Sequence, residues 1–137
     1  MSLIERLTDG DTFAREIGCR LVEIREGYAR ACLTVDERHI NAAGVCQGGV
    51  IFTLADLAFA AVSNSHGILS VGINNSISYV RSARLGETIT AECTEVVNHH
   101  KLPNSEIKVT NSAGDIVAVM SATAYRTSKP FDFDTLM

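Results

Sequence analysis

Gln47-Gly48-Gly49-Val50-Ile51-Phe52-Thr53-Leu54-Ala55-Asp56-Leu57-Ala58-Phe59-Ala60-Ala61-Val62 is the stretch on which the reading of this chain turns. It is rich in Leu and Ala, and its length favours a helix over a strand. A helix that is apolar on nearly every face is a buried one. The apolar run is too short to span a bilayer, and Asp56 interrupts it. The segment is therefore expected to be the core helix of a globular domain.

Asp56 is the anomaly. It lies mid-helix, where it cannot cap an end and where Asp is a poor helix former. Burying an unpaired carboxylate is costly, so such a group is paired, protonated or functional. One reading is a buried Asp that hydrogen-bonds backbone or anchors a turn. The other is a general base or nucleophile facing a cleft. Gly48-Gly49 opens the same helix. Without side chains there, a ligand can approach N–H groups that have no intrahelical partner, and the helix dipole favours a developing oxyanion. A tight loop-to-helix turn is the plainer account of the two glycines. Gln47 and Asp56 are nine residues apart, or roughly 13 Å along a helix at its standard rise. One helix cannot bring both to one carbonyl group, whereas two antiparallel copies can. A site using both elements is thus expected to be shared across a two-fold homodimer.

Outward from the helix the patterns change. Residues 3 to 17 carry Leu3, Ile4, Leu7, Phe13 and Ile17 around Asp9-Gly10-Asp11, which suggests a short helix or two. Residues 19 to 35 alternate about a turn at Glu26-Gly27, as in a hairpin. Residues 69 to 81, 87 to 97, 105 to 111 and 115 to 125 read as strands, the last two joined through Ala113-Gly114-Asp115. Residues 128 to 137 have no period and are expected to be peripheral. The whole chain, 1 to 137, reads as one α+β domain, an antiparallel sheet curled around one long buried helix. Edge-to-edge dimerisation would cover one exposed sheet edge.

Composition narrows the function. The chain has 137 residues, a fifth of them charged, with a formal net charge of −4. That is enough for a real core and argues against a nucleic-acid surface. No membrane span or signal peptide is visible. Cys19, Cys32, Cys46 and Cys93 are widely spaced without a CxxC, and read as reduced thiols in a cytoplasmic protein. His39, Cys46 and His66 have no metal-ligand spacing, so no metal is expected.

The stretch from His39-Ile40-Asn41 through Gly44 and Gln47-Gly48-Gly49 to Asp56 resembles the motif of the hotdog-fold thioesterases. It is similar above all to the PaaI type, with its pattern N-x-x-G-x-x-H-G-G followed by L-x-D. Asn41, Gly44, Gly48, Gly49 and Asp56 match in spacing, and Ile77 to Glu87 resembles the family's next strand and turn. The resemblance implies an acyl-CoA thioesterase acting on an aromatic or medium-chain acyl group, without cofactor, as a homodimer or a dimer of dimers. It implies that the Gly48 N–H polarises the thioester carbonyl and that Asn41 holds the carbonyl or the water. Asp56 of the facing subunit would activate water or attack directly.

Two positions depart from the pattern. Gln47 stands where the family has histidine; it keeps a donor and an acceptor but carries no proton at neutral pH. Gly72 stands where many relatives have a Ser or Thr that assists the water, so that helper is expected either to be missing or to be supplied by Asn74 or Ser76. Gly49 and Thr53 are candidate substrate contacts. Thr53 is placed either to hydrogen-bond Asp56 or to bond the helix backbone. Arg81, Arg84 and Lys101 are candidates for the CoA phosphates, or else are solvated surface charge. Cys46 with His39 can be drawn as a nucleophile pair, but that leaves Asp56 unexplained. The alternatives to hydrolysis are a non-catalytic acyl-CoA binder and a hotdog dehydratase or hydratase.

Overall fold

The computed structural model describes residues 1–137. Two short helices, α1 (Leu3–Gly10) and α2 (Thr12–Glu16), precede the hairpin β1 (Arg20–Arg25) and β2 (Tyr28–Thr34). A 3-10 turn (Glu37–His39) and a loop lead into α3 (Gly48–Asn64). Strands β3 (Ile68–Tyr79), β4 (Thr88–Val97), β5 (Asn104–Thr110) and β6 (Ile116–Pro130) complete the chain. All strand pairings are antiparallel, in the order β1-β2-β4-β5-β6-β3. This is the sheet-around-helix architecture expected from the sequence.

The composition of α3 explains how closely the sheet can wrap it. Leu54, Ala55, Ala58, Ala61 and Val62 are fully buried, and they meet Ala31, Leu33, Ala91, Cys93, Ile107 and Val109 in one core cluster. Alanine on both surfaces lets backbones approach without leaving voids. The helix is not buried all round, however. Phe52, Thr53, Asp56 and Ala60 are only half-buried and Gly49 is exposed. These positions recur at helical spacing, so they form one uncovered stripe.

Strand β3 lies at one end of the sheet and pairs only with β6. Its apolar Val71 and Ile73 are 48% and 57% exposed. The register shifts between Gly72, opposite Ala124, and Asn74, opposite Thr123. That bulge resets the alternation of β3, because one extra residue reverses which positions face the helix. Gly72 and Asn75 lie opposite the buried Ala124 and Ala122, and so share the inner face although they are three residues apart.

The C-terminal segment is not peripheral, as the missing period had suggested. β6 runs to Pro130, and Phe131, Phe133 and Leu136 pack against the core. Leu3 and Ile4 donate backbone N–H groups to Thr135 and Leu136, and the Arg6 guanidinium sits 3.9 Å over the Phe131 ring. Irregular backbone has no period to read, yet three apolar anchors suffice to dock it. α1 in turn begins with a capping box between Ser2 and Glu5. No helix is long and apolar enough to cross a membrane.

Candidate active site

The loop before α3 is built by Asn41. Its Oδ1 accepts from the N–H groups of Ala43 (2.9 Å) and Val45 (3.2 Å), closing an Asx turn. The turn passes through Gly44 at φ +81°, a left-handed conformation suited to glycine. Asn41 is therefore the scaffold of the loop, and its Nδ2 makes no bond within the chain. Gln47 follows at the N-cap position, but its side chain caps nothing. It folds instead over Gly49, where an added Cβ would lie 2.5 Å from Gln47 Oε1.

The N–H groups of Gly48 and Gly49 have no partner in the chain. They are first-turn donors, and the helix dipole adds to their pull on negative charge. Tyr79, at the end of β3, fixes this turn. Its hydroxyl donates to the Gly48 carbonyl at 3.0 Å, and a Cβ on Gly48 would meet its ring at 3.0 Å. Glycine suits position 48 because an added Cβ would press on the Tyr79 ring. A groove of about 390 Å³ opens here, lined among others by Asn41, Val45, Gly48, Tyr79, Arg81 and Ser82.

Asp56 is not in that groove. It lies on the uncovered stripe of α3, where Asn75 Nδ2 donates to its Oδ1 at 3.0 Å. Burial raises its pKa above the usual carboxylate range; the Asn75 bond opposes that rise and the charge of Asp11 adds to it. Asn75, not Asn74 or Ser76, is the strand residue beside the carboxylate, because the bulge after Gly72 shifts the parity by one. Neither Asn75 nor Tyr79 could be assigned from alternation alone. The available signal was that both are polar-tipped residues on a face otherwise shared with Ile73 and Ile77.

Of the remaining candidates, Arg81 borders the groove, whereas Arg84 and Lys101 are exposed outside its lining. Thr53 spends its hydroxyl on the Gly49 carbonyl at 2.8 Å and does not bond Asp56. The Cys46–His39 pair does not exist. His39 is buried with Nδ1 accepting from Asp36 N–H and Nε2 against the Ile17 carbonyl, so both ring nitrogens are occupied by backbone. Burial pushes the Cys46 thiol up to about 11.

The profile of the thioesterase superfamily matches residues 43–100, which contain both the glycine turn and Asp56. A putative esterase of Archaeoglobus fulgidus is 41% identical over 133 residues, covering 94% of this chain and 86% of that one. The acyl-coenzyme A thioesterase PaaI of Escherichia coli is 31% identical over 120 residues, covering 86% and 84%. The solved structure of the E. coli PaaI protein superposes with a TM-score of 0.87 at 26% identity, over 94% of this chain and 99% of that one. A Streptococcus mutans protein solved with acetyl CoA bound superposes at 0.79 with 29% identity, over 82% and 91%. With this fold, this glycine turn and this half-buried carboxylate, the chain belongs to the thioesterase superfamily, among its PaaI-type hotdog thioester hydrolases.

Proposed function

We propose that the chain hydrolyses acyl-CoA thioesters at sites shared between two subunits, each site taking the glycine turn from one chain and Asp56 from the other. One observation carries this reading. The free Gly48 N–H opens into a groove that Asp56 of the same chain does not line, while Asp56 lies on an uncovered helix stripe beside an uncovered edge strand. The two lie eight residues apart, about 12 Å along the helix, so one chain cannot serve both ends of one carbonyl group. Pairing of β3 with its two-fold copy would bury Val71 and Ile73 and run the two α3 helices antiparallel.

In this site the Gly48 N–H donates to the developing oxyanion, and Asp56 of the partner subunit drives the attack. Asn41 presents its free Nδ2 to the carbonyl or the water. Gln47 and Gly49 border the entry, and Gln47 orients groups without shuttling a proton. Arg81 meets a CoA phosphate at the mouth of the groove, with Arg84 and Lys101 further out on the surface. An aromatic or medium-chain acyl group, as in phenylacetate degradation, fits the likeness to PaaI. Four unpaired cysteines accord with a cytoplasmic enzyme. A dimer of dimers would use the outer sheet face, where Ser76, Ser78, Lys108 and Ser121 line a shallow groove.

The test is complementation. Asp56→Ala and Gly48→Ala chains, each inactive alone, are mixed and allowed to exchange subunits. In a hybrid dimer one site carries both lesions and the other none, so about a quarter of wild-type activity returns at equal mixing. No recovery despite proven exchange overturns the shared site. Wild-type protein that binds acyl-CoA yet releases no free thiol would instead establish the binding-only reading that the Gln47 departure favours.

A further inference from the structure

We infer that Tyr79 is a positioning residue for the reaction: its ring and hydroxyl, reaching from the end of β3, hold the first turn of α3 so that the Gly48 N–H stays aimed at the thioester oxygen. This rests on the reading of that N–H as the donor to the developing oxyanion.

The start of α3 lacks the features that usually fix a first turn. Gln47 at the N-cap makes no side-chain bond to the helix, and no acidic residue stands in the first turn. Two glycines follow, the residues that lose most backbone freedom on entering a helix. Helix ends fray, and a turn of this composition frays readily. An oxyanion donor, however, is effective only when it is already in place. A loose one loses part of its interaction energy to reorganisation at the moment of reaction.

Two hydroxyls bond this turn. Thr53 donates to the Gly49 carbonyl at 2.8 Å, but it belongs to the same helix and cannot fix the turn relative to the rest of the chain. Tyr79 donates to the Gly48 carbonyl at 3.0 Å from outside the helix. Its strand is paired with β6 as far as Tyr79 itself, which stands opposite the buried Ala118, so the hydroxyl starts from a firm base. The ring restrains the turn a second time, because it lies close enough to Gly48 to leave no room for a Cβ. Hydroxyl and ring thus hold the carbonyl and the Cα of the residue whose N–H is the donor. Burial raises the Tyr79 pKa above the ordinary phenol value, so the hydroxyl remains a donor at neutral and mildly alkaline pH. Val80, Arg81 and Ser82, which follow directly, line the same groove. One strand end therefore both fastens the donor and forms the wall beside it.

Tyr79→Phe removes one oxygen atom and keeps the ring. With a hydrolysed acyl-CoA, kcat is expected to fall about 5- to 20-fold while KM stays within about twofold. That is less than the roughly 10²-fold cost of removing an oxyanion donor outright, because the N–H is loosened and not lost. The second readout does not depend on turnover: the infrared carbonyl band of a 1-¹³C-labelled acyl-CoA bound to Asp56→Ala protein. Donation from the Gly48 N–H lowers that band, and adding Tyr79→Phe should return it toward its position in solution. A lower Tm with unchanged kcat and an unmoved band would make Tyr79 a purely structural residue and overturn the inference. Should Tyr79→Phe not fold, Tyr79→4-aminophenylalanine carries the test. It offers a weaker donor in the same place, so kcat must fall about threefold at unchanged KM, and a wild-type kcat refutes the assignment. If the band of the Asp56→Ala complex is not lowered at all, the donor reading itself fails; a lowered band that Tyr79→Phe leaves in place sinks this inference alone.

Discussion

Two adjacent glycines should respond in opposite ways to the same added methyl group. An alanine Cβ at position 48 would lie 3.0 Å from Tyr79 Cζ and 3.2 Å from its Cε2 and hydroxyl oxygen. Carbon atoms in comfortable contact stand about 3.5–4.0 Å apart, so the ring must retreat by a few tenths of an ångström. It cannot do so freely, because its hydroxyl is bonded to the Gly48 carbonyl at 3.0 Å. Overpacking of this kind costs about 1–3 kcal/mol and the strained hydrogen bond about 1 more, against a helix-propensity gain of up to about 1. The net loss of about 1–3 kcal/mol corresponds to a Tm lower by roughly 3–10 °C in a domain of this size. Moving the first-turn N–H also removes oxyanion stabilisation, worth about 10²-fold in kcat. At position 49 the closest atom is Gln47 Oε1 at 2.5 Å, nominally a worse clash. That atom is the end of an exposed side chain with no hydrogen bond to lose, so it swings away. Gly49→Ala should keep or slightly raise Tm through its better helix propensity. Both variants are melted at one fixed protein concentration, since an oligomer's Tm depends on it. A Gly49→Ala melt below that of Gly48→Ala, or a Gly48→Ala enzyme equal to wild type in both Tm and kcat, would refute the packing argument.

Asp56→Asn should abolish turnover and yet raise stability at neutral pH. Burial raises the folded-state pKa above its unfolded value, so ionised Asp56 burdens the fold above the folded pKa; the burden fades as pH falls toward the unfolded pKa. Melting curves of the two proteins should therefore differ at pH 7 and converge in acid, and a difference that grows in acid would contradict the sign. For the same reason, the acid limb of wild-type kcat should lie above the range of an ordinary Asp, as read from a kcat–pH series. Cys46→Ala should leave kcat within about twofold, since the thiol is held protonated and His39 is tied to backbone; a large loss would revive the thiol as a nucleophile.

The fold was legible because its decisive signals are periodic. An Ala- and Leu-rich run of helical length, followed by alternating segments with turn residues between them, permits few arrangements other than a sheet wrapped on a helix. Asp56 and Gly48 stood out as candidates for the opposite reason, as breaks in a pattern: a charge inside the run and a missing side chain at its start. What failed to show was everything that depends on an irregularity with no composition of its own. The docked tail has no period, and its anchors Phe131, Phe133 and Leu136 are spaced by no rule.

The bulge in β3 is the more consequential case. Strict alternation from Gly72 leads to Asn74 and Ser76, both of which are exposed. One extra residue at Ile73 brings Asn75 to the carboxylate instead. The displacement also has a chemical sense. A glycine at 72 leaves the space beside the Phe59 ring and the Asn75 amide without a side chain, and that amide reaches Asp56. An amide further differs from a hydroxyl in presenting its donor and its acceptor on separate atoms. Its donor restrains the carboxylate while it has no proton of its own to gain or lose. With an amide at Gln47, Asp56 is the ionisable group whose proton affinity the fold raises on this helix. Burial and the Asn75 bond push its pKa in opposite directions, so replacing Asn75 by Ala should move the acid limb of a kcat–pH series to higher pH, and an unmoved limb would separate Asp56 from the rate.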